Sequence, residues 1–162
     1  MSFSTLFEER EMLNTDWAYL AGIFDGEGSV YLSRAGNKSG SLRTYVVCVT
    51  VVCGVNIEVI DDIAILIGCS PPKERINGYG NKRIASRLRI KGSKALWFLE
   101  GVKPYVRMKV EQVKIAIDVR KGKVKRGERC TEEREDFERT AKERLTVLNK
   151  RGVPTLYLKP YI

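Results

Sequence analysis

Leu20-Ala21-Gly22-Ile23-Phe24-Asp25-Gly26-Glu27-Gly28-Ser29 is the stretch around which this chain organises. Upstream of it, residues 16–24 carry the spacing of a helix, with Thr15 as a candidate N-cap and Asp16 favourable in the first turn. Gly26 and Gly28 predict a break. Downstream, residues 29–33 alternate: Val30 and Leu32 on one face, Ser29, Tyr31 and Ser33 on the other. That is the pattern of a half-buried strand. The segment therefore reads as a helix entering a strand, with Asp25 and Glu27 at the junction. Taken alone, Asp25-Gly26-Glu27-Gly28 also reads as an ordinary helix-stop turn.

Working outward, residues 35–41 (AGNKSGS) form a polar loop and residues 42–52 a long β-branched strand. Asn56 can cap a helix carrying Ile57, Ile60, Ile63, Ala64 and Ile67, closed by Gly68. Pro71 and Pro72 break the chain. Residues 73–77 and 82–90 predict two strands around Gly78-Tyr79-Gly80-Asn81, and Arg87-Leu88-Arg89-Ile90 puts both arginines on one face. Ser93 can cap a short helix to Leu99. Residues 106–119 predict a longer helix, residues 121–129 a basic loop, and Thr131 a cap for a charged helix over 132–149. No internal repeat is visible.

The order α-β-β-α-β-β-α-α-α predicts an α+β fold: a four-stranded antiparallel sheet with helices on one face. Residues 1–162 read as a single domain, with a core over about 14–120 and a basic loop and extra C-terminal helix over 121–162. The other sheet face is expected to carry Tyr31, Ser33, Arg43, Tyr45, Arg87 and Arg89. Such a face suits a DNA groove, or is simply solvated.

Composition narrows the chemistry. Lys plus Arg number 29 against 20 Asp plus Glu, a net charge of +9. That surplus fits a polyanionic partner or a merely basic surface. No histidine is present, which excludes Ser-His-Asp, Cys-His and histidine-based nuclease mechanisms. Cys48, Cys53, Cys69 and Cys130 contain no C-x-x-C pair, so a zinc site is not expected. No apolar run approaches the roughly 20 residues of a membrane helix, and no signal-peptide pattern opens the chain. The expectation is a soluble intracellular protein without membrane contact.

Residues 20–29 resemble the LAGLIDADG motif in their small residues, both acidic positions and the trailing Gly-Ser. This resemblance to the LAGLIDADG homing endonucleases implies the αββαββα fold and a divalent-metal-dependent endodeoxyribonuclease. One copy of the motif implies the homodimeric type, cutting a long, roughly palindromic duplex with a staggered break. The residues supply a rationale. Ala18, Ala21 and Gly22 lie near one helix face, with Gly26 four positions further, so two helix backbones can approach closely. A two-fold crossing there would bring two Glu27 carboxylates together. Like charges that close oppose joint ionisation unless a cation sits between them. The helix C-termini add negative partial charge, and oxygen ligands suit Mg²⁺, with Mn²⁺ as a substitute.

The resemblance implies Glu27 as catalytic metal ligand with the Gly26 carbonyl beside it. Asp25 is expected to organise the helix end and, with Ala18, Ala21 and Gly22, the dimer interface. A basic residue at the start of a later helix fits Lys109 in Pro104-Tyr105-Val106-Arg107-Met108-Lys109, with Arg107 as rival. Tyr31, Ser33, Arg43, Tyr45, Arg87 and Arg89 are the expected DNA-contacting set. The chain departs from the family at residues 51–54 (VVCG), where some members place a polar residue toward the scissile water. That departure keeps two alternatives open: an intron maturase binding RNA on the same scaffold, and a non-catalytic DNA-binding regulator.

Overall fold

The structure is a computed structural model that describes residues 11–34, 45–54, 57–72, 75–77, 84–123 and 130–150. Helix α1 spans Asn14–Glu27 and passes directly into β1, Gly28–Arg34. Its first turn is held by Asp16, whose carboxylate accepts the Leu13 N–H at 3.0 Å. Thr15 lies inside the helix and is not the cap. Nor does Gly26 break it. The chain turns at Gly28, where the N–H donates to the Phe24 carbonyl. A Cβ at Gly28 would fall 2.3 Å from the Phe24 ring and 2.6 Å from its carbonyl oxygen, so close approach reserves this position for glycine.

The remaining elements are β2 (Tyr45–Cys53), α2 (Ile57–Leu66), β3 (Arg75–Asn77), β4 (Ile84–Lys91), α3 (Gly92–Val102), α4 (Val110–Lys121) and α5 (Glu132–Leu148). The element order is the expected one. Two helix starts differ. α3 begins at Gly92 (φ +63°) without a side-chain cap from Ser93. α4 begins at Val110 and not at residue 106, because the turn before it is pinned to α1 as described below. Thr131 caps α5 as expected, its hydroxyl accepting the Arg134 N–H at 3.2 Å. Asn56, Arg43, the residue 78–81 turn and most of the 121–129 loop lie outside the described residues.

The strands form one antiparallel sheet in the order β1-β2-β4-β3. Pairing aligns Val30 with Val49, Leu32 with Val47, Val49 with Ile90 and Val51 with Leu88 on one face. These side chains are buried against α1 to α5 together with Leu20, Ala21, Phe24, Ile60, Ile63, Phe98, Leu99 and Ile115. Phe24 and Phe98 meet edge to face at 5.8 Å, a geometry that contributes about 0.5–1.5 kcal/mol beyond area burial. Edge strand β1 is covered by the C-terminal helix. Asn149 Nδ2 donates to the Val30 carbonyl at 2.7 Å, and buried Glu138 accepts the Tyr45 N–H at 3.0 Å. An unpaired edge would otherwise invite another strand. Among the described residues, no helix is long and apolar enough to cross a membrane.

Candidate active site and nucleic-acid interface

The C-terminal end of α1 meets the N-terminal end of α4. Asp25 lies on the inner side of α1 and is 9% exposed. Its Oδ2 accepts the N–H groups of Arg107 at 2.7 Å and Met108 at 3.2 Å, and its Oδ1 accepts that of Lys109 at 3.1 Å. Three backbone donors at a helix start are a natural seat for a carboxylate, and they compensate its burial. Lys109, at the N-cap of α4, then folds back so that its Nζ donates to the Asp25 carbonyl. The ammonium lies 5.9 Å from the Phe24 ring centroid. Burial lowers the Lys109 pKa below the usual lysine range, and the carboxylates of Asp25 and Glu27 oppose that shift.

Glu27, the last residue of α1, is exposed. Among the described residues, no hydrogen bond or salt bridge within the chain holds its carboxylate. Asp25 and Glu27 are thus separated by environment: one carboxylate is consumed by backbone donors, the other is open beside the Lys109 ammonium. Both lie at the negative end of the α1 dipole, which favours a cation. The donor chemistry fits a hard divalent ion: a carboxylate, the neighbouring Gly26 carbonyl and space for oxygens from outside the chain. Among the described residues, a single chain gathers no group of three or more metal-ligating side chains. A cation held by Glu27 and the Gly26 carbonyl would complete its shell with oxygens of water or of a second molecule. Arg107 is exposed and enters this junction through its backbone N–H.

Along α1, Ala18, Gly22 and Gly26 are exposed, and among the described residues a Cβ at Gly22 or Gly26 would meet nothing within 4 Å. Thr15 and Tyr19 flank this open face. Ala21 does not belong to it. It is 1% exposed and packs in the core, and Asp25 is turned inward to α4. Both assignments to a dimer interface are corrected by the helix phase: Ala21 lies three residues before Phe24, and Asp25 lies four after Ala21, so both share the inner side.

The sheet face away from the helices carries Ser29, Tyr31 and Ser33 from β1 and Arg87, Arg89 and Lys91 from β4, with Cys48 and Thr50 between them. Ser29 and Thr50 share a hydroxyl hydrogen bond of 2.7 Å. Burial pushes the Tyr31 phenol above its ordinary range, the Cys48 thiol adds to this, and Arg89 and Arg87 oppose it. Tyr45 is a correction. It pairs with Arg34, stands in register with the apolar face and is 6% exposed, with Lys142 Nζ 5.4 Å from its ring centroid. It cannot reach a ligand on the open face. Lys91 was missed, although extending the Arg87-Leu88-Arg89-Ile90 alternation by one residue points to it. At the end of β2, apolar Val52 stands opposite Arg87.

No family model matches the chain, and no curated protein sequence matches it. Solved structures do. The homing endonuclease I-CvuI, in complex with its target in the presence of 2 mM Ca, superposes with a TM-score of 0.64 at 20% identity, covering 86% of this chain and 85% of that one. The archaeal intron-encoded homing endonuclease I-Vdi141I, complexed with DNA, gives 0.65 at 16% identity over 88% and 89%. The LAGLIDADG homing endonuclease I-LtrWI, bound to target DNA, gives 0.53 at 16% identity. The chain has the LAGLIDADG homing endonuclease fold. It spans 85% of itself but 45% of I-LtrWI, so one chain here corresponds to about half of that enzyme. Within this fold, the motif helix α1 runs directly into β1 of the sheet.

Proposed function

We propose that the protein is a site-specific homing endonuclease that acts as a homodimer on a long, roughly palindromic DNA duplex. The observation that carries this reading is the junction of α1 and α4. In a chain of this fold, it sets an exposed Glu27 beside the Lys109 ammonium, next to a basic sheet face.

Two chains would join through the Ala18, Gly22 and Gly26 face of α1, which lets helix backbones approach and brings both Glu27 carboxylates to the two-fold axis. Glu27, with the Gly26 carbonyl, would hold Mg²⁺, and Mn²⁺ in its place. When bound, the ion polarises a scissile phosphate and lowers the pKa of an attacking water. Lys109 offsets negative charge building on that phosphate. Each open sheet face lies in the major groove of one half-site, where Arg87 and Arg89 suit guanine and Tyr31, Ser33 and Lys91 add contacts. Cleavage near the two-fold then gives a staggered double-strand break.

A second reading, an RNA-binding splicing cofactor on the same scaffold, is favoured by the apolar end of β2 at Val52. Selection from a randomised duplex library in Mg²⁺ separates the two. The endonuclease reading expects discrete sites cut on both strands. Selective binding without cutting in Mg²⁺ or Mn²⁺ would contradict it.

A further inference from the structure

The Asp25 carboxylate reaches across 82 to 84 residues of sequence to collect the N–H groups of residues 107–109. An ordinary cap takes its donors from its own helix. Here the acceptor sits on one helix and the donors on another, so the contact fixes where α4 starts relative to the end of α1. The same residue offers its carbonyl to the Lys109 Nζ. Lys109 is thus held at its backbone and at its tip by one partner. A lysine side chain has many rotamers, and an ammonium used at a phosphate gains from being fixed beforehand.

We propose that Asp25 is the positioning residue for Lys109, holding its ammonium beside Glu27 in advance of substrate. Its effect on rate rests on the endonuclease reading; the placement of the ammonium does not. Asparagine tests the link with little change of volume. It keeps one acceptor oxygen but turns an NH₂ toward backbone N–H groups, so at least one of the hydrogen bonds is lost.

Single-turnover cleavage of a duplex selected by the wild type, compared for Asp25→Asn, Lys109→Ala and the double variant, reads the coupling. The expected result is a rate lower by on the order of 100-fold in Asp25→Asn, at DNA affinity unchanged in Ca²⁺. The double variant should be no slower than Lys109→Ala alone. Defects that multiply, or wild-type cutting by Asp25→Asn, would overturn the proposal. A second readout needs no cleavage. NMR order parameters at Lys109 Cε should exceed those of exposed Lys114 in the wild type and fall to its level in Asp25→Asn. Equal mobility of the two lysines in the wild type would sink the proposal even if DNA is cut. If the wild type cuts no duplex, the endonuclease reading falls and the order parameters alone decide the placement.

Discussion

The two faces of α1 use small residues for opposite reasons. On the inner face Ala21, and at the exit into β1 Gly28, are small because the chain's own core presses on them, Gly28 directly against Phe24. On the outer face, Ala18, Gly22 and Gly26 are exposed, and among the described residues no atom lies within 4 Å of a Cβ added at either glycine. Glycine within a helix costs about 1 kcal/mol relative to alanine. Two such glycines on one open face fit the helix-to-helix contact proposed above. The sheet repeats the contrast: Tyr45 belongs to the inner face, Arg89 to the outer.

The largest effect expected from breaking the inner face is at Phe24. Phe24→Ala removes a fully buried ring and should cost about 3–5 kcal/mol in denaturant unfolding. Next comes a pair of identical substitutions of opposite sign. Gly28→Ala forces a methyl onto Phe24 and should destabilise by about 1–3 kcal/mol. Gly22→Ala meets open space and should stabilise the isolated chain by about 0.5–1 kcal/mol, while weakening self-association measured by sedimentation. If both destabilise the monomer alike, the distinction between the faces fails. On the sheet, Arg89→Ala should weaken binding to a selected duplex by about 1–3 kcal/mol per half-site contact. Tyr45→Phe should change that affinity by less than about 0.5 kcal/mol. A large effect at Tyr45 would contradict its placement on the helix side.

The sequence exposes the element order and the motif because periodicity switches cleanly from helix to strand across residues 20–33. It does not expose the phase of β2. YVVCVTVVC is apolar at nearly every position, so alternation cannot tell its faces apart, and pairing with β1 decides that Tyr45 turns inward. The fates of Ala21 and Asp25 depend on helix phase, and Gly26 predicts a break by residue type alone, whereas α1 continues through it to Glu27. The link from Asp25 to residues 107–109 joins positions far apart in sequence, so local pattern carries no sign of it. Glu27 and Lys109 came from the motif resemblance; their proximity came from the fold.

The account turns on the Glu27 carboxylate. Its most direct test is single-turnover cleavage of a wild-type-selected duplex by Glu27→Gln in Mg²⁺, with binding to the same duplex measured in Ca²⁺. The account predicts that cutting of both strands is lost while affinity and unfolding midpoint stay at wild-type values. Cutting at the wild-type rate by Glu27→Gln would contradict it.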